Sequence, residues 1–154
     1  MAIYATSQSA TYGTVYGSGV AREKISLVAI VAVTTAMIDN VDDEVGLFYV
    51  PKGFVVTGAT ISGTDMDTNV SPTLAFDVGD DADENRLIAA GAVGQAATLS
   101  SALAPAGHLY KYTAKTLIKA YVQAVAATGA AGTLKVEVEG FVDEDFSTTA
   151  LTAA

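Results

Sequence analysis

Residues 133–142 read TLKVEVEGFV, and the alternation of Leu134, Val136 and Val138 with Lys135, Glu137 and Glu139 decides the fold class. Successive side chains of an extended chain point to opposite sides, so this period of two puts the apolar residues on a core face and the charges in water. A helix would scatter the same charges around its girdle. The preceding stretch, TLIKAYVQAVAAT at 116–128, is less clean. Ile118, Ala120, Val122 and Ala124 share one side, opposite Leu117, Lys119, Tyr121, Gln123 and Val125. That second side is partly apolar, which predicts contact with another sheet or another subunit. ATGAAGT at 127–133 reads as the hairpin connection between the two strands.

Similar β-branched runs, broken by turn residues, recur from Ile25 onward. Ile25 to Thr35, Val45 to Val50, Gly53 to Ser62, Thr73 to Val78, Arg86 to Ala89 and Leu109 to Thr113 join Thr116 to Ala126 and Thr133 to Val142 as eight candidate strands, the jelly-roll number. The expected fold is all-β, a jelly-roll-like antiparallel β-sandwich with an extended N-terminal arm. VPKGFV at 50–55 is a turn by its proline and glycine, and the small residues of 89–108 suit a long loop or short helix across one end of the sandwich. REKISLVAIVAVTTAMI at 22–38 imitates a signal peptide, with basic residues ahead of an apolar run. It starts too deep in the chain for that, is too short to span a bilayer, and is rich in β-branched residues, so it reads as a core strand and no membrane partner is expected.

Three segments follow. Residues 1–20 are rich in Ser, Thr, Gly, Tyr and Ala and carry no charge, too little for a core of their own, and form a flexible or interface-bound arm. Ile3, Tyr4, Tyr12, Val15 and Tyr16 are costly to leave in water and are the candidate residues for contact with a neighbouring subunit. The sandwich occupies 21–145, and 146–154, FSTTALTAA, is a small-residue tail.

At 154 residues and 15.7 kDa the chain suits one domain. Eight basic against 17 acidic residues give a net charge of −9, which repels nucleic acid. No cysteine is present, so disulfides, thiolate metal sites and cysteine nucleophiles are excluded. His108 is the only histidine, which excludes a multi-histidine metal site and forces any Ser-His-Asp triad through a residue whose neighbours, PAGHLYKY, contain no nucleophile elbow. GTVYGSG at 13–19 lacks the spacing and lysine of a phosphate loop. No cofactor, metal or catalytic residue is expected. Tyr110, Tyr112 and Tyr121 leave a sugar-binding platform open, with core or interface packing as the alternative use.

The densest run of charge is DVGDDADENRLI, Asp77 to Ile88. A calcium loop beginning at Asp81 supplies Asp83 and Asn85 but fails at Arg86, where glycine is required, and at Ala92, where glutamate is. A looser cation site from Asp77, Asp80, Asp81 and Asp83 stays open beside the plainer reading. In that reading Gly79, Asp80 and Asp81 form an exposed turn and Arg86 starts the returning strand, reaching back to Asp77.

SPTLAFDVGDDADENRLIAAGAVGQAAT at 71–98 and GHLYKYTAKTLIKAYVQAVAATGAAGTLKVEVEGFVDED at 107–145 resemble small structural proteins of tailed-bacteriophage virions. The marks are the DVGD strand end at Asp77 to Asp80, the turn at Asp83 to Arg86, YKYT at Tyr110 to Thr113, and the hairpin at Ala127 to Val136. The chain is thereby similar to capsid decoration, or cement, proteins. The resemblance implies a non-enzymatic protein, a homotrimer, bound through the major capsid protein to the outer surface of the capsid. It would bridge capsid subunits and stabilise the DNA-filled head. The alternatives are another virion component, such as a head fibre base or tail protein, or a carbohydrate- or receptor-binding β-sandwich.

Overall fold

A computed structural model describes residues 3–5, 24–100 and 103–143. Its strands are β1 (Ile3–Ala5), β2 (Ile25–Val33), β3 (Glu44–Val50), β4 (Phe54–Gly63), β5 (Ala75–Asp80), β6 (Asp83–Gly91), β7 (Leu99–Ser100), β8 (Thr116–Ala124) and β9 (Gly132–Val142). Three short 3-10 turns, Thr35–Met37, Val93–Gln95 and Pro105–Gly107, interrupt the connections.

Pairing is nested: β2 with β9, β3 with β8, β4 with β7, and β5 with β6, all antiparallel. This is a long hairpin folded over on itself. Pairing of β4 with β9 and of β5 with β8 closes it into two sheets, ordered β2-β9-β4-β7 and β1-β3-β8-β5-β6. Such wrapping is a jelly roll, and the expected sandwich is what the chain forms. β1 lies outside the wrapping, pairing parallel with Glu44–Gly46 at the edge of the five-stranded sheet.

The alternation in β9 is as expected, with Leu134, Val136 and Val138 fully buried between the sheets. Across that core stand Ile118, Ala120 and Val122 of β8 with Phe76 and Leu87, while Phe54 and Ile61 of β4 join the β9 residues on their own side. β8 and β9 are each flanked by strands on both sides, so truncating one of their core residues to alanine is expected to cost about 2–5 kcal/mol.

Leu109 to Thr113 is not a strand. It follows β4, with Val56 N–H donating to Tyr110 O (3.0 Å) and Tyr112 N–H to Phe54 O (2.9 Å), but the contact reduces to one isolated bridge, Val55 with Lys111. Leu109 sits at φ 57°, a left-handed conformation that takes the chain out of the extended region. The 89–108 segment, in turn, contributes the end of β6 and the two-residue β7.

One buried carboxylate organises the loops at one end. Asp67 accepts backbone N–H bonds from Thr73 (2.7 Å), Leu74 (3.1 Å), Ala127 (2.9 Å) and Thr128 (2.9 Å), tying the chain before β5 to the chain after β8. Burial alone would raise its pKa; these four donors overcome it and hold the group well below the usual carboxylate range.

Candidate functional site

The acidic stretch forms the β5–β6 hairpin, with Asp80 opposite Asp83 and only Asp81 and Ala82 between the strands. The tight approach depends on Gly79, because a Cβ there would lie 2.1 Å from the Asp83 carbonyl oxygen. The acids are only partly a solvated turn: Asp81 and Glu84 are exposed and Asp83 half-buried, but Asp77 and Asp80 are buried, as is Arg86.

Arg86 reaches Asp80, not Asp77. Its Nε donates to Asp80 Oδ2 at 2.7 Å and its Nη2 to Oδ1 at 3.4 Å, while the Ala82 N–H bonds Asp80 Oδ1 at 2.9 Å. The guanidinium lies 3.9 Å from the centroid of Tyr110, whose ring meets Tyr112 edge-on at 4.9 Å. Pairing and stacking together offset the cost of burying the charge. Asp77 is satisfied differently, accepting the Ala90 N–H at 2.6 Å.

A second ion cluster covers the outer side of β8. Lys119 donates to Glu44 Oε2 of β3 at 2.7 Å and to the Asp81 carboxylate on the hairpin tip, so one ammonium ties β3, β8 and the tip together. Burial alone would lower the Lys119 pKa, but its bonds to Asp81 and Glu44 raise it above the ordinary lysine value. Glu84, exposed on β6, is pushed up by partial desolvation against the sheet and by the charges of Asp42, Glu44 and Asp77, with Lys119 partly compensating. The Tyr112 and Tyr121 hydroxyls are buried with no hydrogen-bond partner among the described residues, and burial raises both pKa values.

These placements bear on each sequence candidate. The four carboxylates of the looser cation site diverge: Asp77 to a backbone amide, Asp80 and Asp83 to Arg86, and Asp81 to Lys119. No cluster of three or more metal-ligating side chains occurs among the described residues. Tyr112 and Tyr121 are buried and Tyr110 is sandwiched by Arg86 and Tyr112, so the three form no open sugar platform. His108 is exposed at the end of the Pro105–Gly107 turn. Of the arm residues, Ile3 and Tyr4 fall in β1; Tyr12, Val15 and Tyr16 lie outside the described residues. Beside the hairpin, a cleft of about 190 Å³ is lined by Asp80, Asp81, Ala82, Tyr110, Tyr112, Thr113, Ala114 and Thr116. The site is thus a braced tip and sheet face, suited to presenting a rigid surface.

No protein-family model and no curated protein matches the chain. Among solved structures, a chain of the cyanophage Pam1 capsid asymmetric unit is 31% identical over 90% of this chain and 98% of its own, with a TM-score of 0.68. The protein belongs to this family of bacteriophage capsid components. Two further chains share the fold. One, from the capsid of Ralstonia phage GP4, has a TM-score of 0.73 at 22% identity, covering 94% of this chain and 100% of that one. The other, from the acid-stable capsid of Helicobacter pylori bacteriophage KHP30, has a TM-score of 0.55 at 14% identity, covering 80% of this chain and 95% of that one. The capsid component is therefore a phage virion structural protein, and its buried ion pairs brace a shape.

Proposed function

We propose that the protein is a decoration, or cement, protein that binds the outer surface of the phage capsid and bridges major capsid subunits. The observation that carries this reading is the match to the Pam1 capsid chain over 98% of that chain's length, so a single small sandwich of this kind is a component of that capsid. Charge supports the outer placement, since a net −9 is repelled by packaged DNA. Copies associate as homotrimers, and the role is non-enzymatic.

Contact with the capsid and between copies is made through the arm of residues 1–20, with Ile3, Tyr4, Tyr12, Val15 and Tyr16 as its anchors, ahead of the sandwich of 21–145 and the tail of 146–154. Many weak contacts of such a segment act together once the sandwich is seated. Co-sedimentation with capsids that lack the protein tests this. Full-length protein is expected to pellet with them, and a variant without residues 1–20 to remain largely in the supernatant. Failure of the full-length chain to bind any capsid form removes the decoration reading; equal binding by both forms moves the contact to the sandwich.

A further inference from the structure

β2 is the outermost strand of its sheet, and among the described residues no strand pairs with its outer edge. It pairs with β9 without a register break from Ile25 opposite Gly140 to Val33 opposite Gly132, so no bulge twists the edge away. Its outer-face residues are Ser26, Val28, Ile30 and Ala32, with Val28 38% and Ile30 57% exposed. No charge and no proline lies between Ile25 and Val33. Proteins that stay single guard such edges with lysine, proline or bulges.

The sequence ISLVAIVAV is close to palindromic about Ala29. In an antiparallel pair of two β2 strands centred there, Ile25 meets Val33, Ser26 meets Ala32, Leu27 meets Val31, and Val28 meets Ile30. Each pair is small or apolar and falls on a matching face, so both cores extend across the junction and Val28 and Ile30 of the two copies close into one patch.

Charge selects the same register. On β9, Glu137 stands beside Val28 and Lys135 beside Ile30. Pairing about Ala29 makes each transverse row run from Lys135 through Ile30 of one copy to Val28 and Glu137 of the other, with opposite charges at its ends. Centring on Val28 instead would end a row in two glutamates, and centring on Ile30 in two lysines.

We propose that a second copy of this chain occupies the β2 edge, pairing antiparallel about Ala29 across a two-fold axis. Such an interface is isologous, joining the two four-stranded sheets into one continuous sheet.

The absence of native cysteine permits a clean test on the full-length chain. V28C and I30C are made separately; both sites are exposed, and circular dichroism confirms that each variant folds. Mixed in equal amounts and oxidised, they are expected to give a covalent dimer, because directly opposed residues bring their Cβ atoms within disulfide range. V28C alone and I30C alone are expected to give little. Ile30→Lys is expected to lower the particle mass measured by light scattering. Equal cross-linking of each single variant with itself overturns the register. No cross-linking in the mixture, with Ile30→Lys leaving the mass unchanged, overturns self-pairing. Protection of the β2 amides from exchange only on capsids would then assign the edge to a capsid strand.

Discussion

Arg86 Nε lies 2.7 Å from Asp80 Oδ2, with 11% and 5% of the two side chains exposed. The hairpin tip is therefore held from inside by an ion pair that water barely screens. Removing either partner strands the other charge, and Arg86→Met or Asp80→Asn is expected to cost about 3 kcal/mol in urea unfolding. The double variant is expected to recover part of that loss, since no buried charge remains unpaired. Additive losses would mean that the two residues act independently. Arg86→Lys is expected to fall well short of wild type, having neither the fork for Asp80 nor the flat face for Tyr110.

Asp67 gives the protein an acid limb. Its folded pKa lies below the unfolded one, so its contribution is fully present above about pH 4 and is lost as pH falls toward the folded value. Asp67→Asn retains the shape but turns one acceptor oxygen into an NH2 donor facing backbone N–H groups, removing at least one of the four contacts; it is expected to cost about 2–3 kcal/mol at neutral pH and less in acid. A loss that does not shrink with acidification would contradict the carboxylate's role.

Lys119 and Glu84 pull in opposite directions. The folded pKa of Lys119 is raised, so its contribution is complete below about pH 10 and disappears as pH rises through the folded value. Lys119→Met leaves Glu44 and Asp81 without their cation and is expected to lower the melting temperature markedly. Glu84 is raised instead, so its ionisation above about pH 4 works against the fold, and Glu84→Gln is expected to raise the melting temperature at neutral pH. A fall with Glu84→Gln would reverse the assigned electrostatics.

Gly79→Ala places a methyl group in contact with the Asp83 carbonyl across the hairpin. About 2 kcal/mol or more of destabilisation is expected, read as a lower urea midpoint with an unchanged slope. Tolerance of alanine would mean that the strands separate there at little cost.

What was legible in the sequence was local. The period of two in TLKVEVEGFV assigned Leu134, Val136 and Val138 to the core because a strand's faces are set by its own residues. β8 was half legible: Ile118, Ala120 and Val122 are core residues, but the burial of Lys119 on the other face depends on Glu44 and Asp81, 75 and 38 residues away in sequence. The same holds for Asp80 and Arg86, which composition alone places in water. Asp67 went unnoticed because two of its donors, Ala127 and Thr128, are 60 and 61 residues distant; the local signal was an aspartate in the turn-rich TDMDTN at 64–69. Leu109 to Thr113 looked like a strand because propensity does not register the left-handed Leu109.

Thermal melting of capsids that lack the protein, measured with and without the purified full-length chain, tests the decoration role most directly. Saturating protein should raise the melting temperature of the shell and appear as density on its outer surface in electron microscopy. An unchanged melting temperature with no added outer density would contradict that role and leave a virion component of another kind.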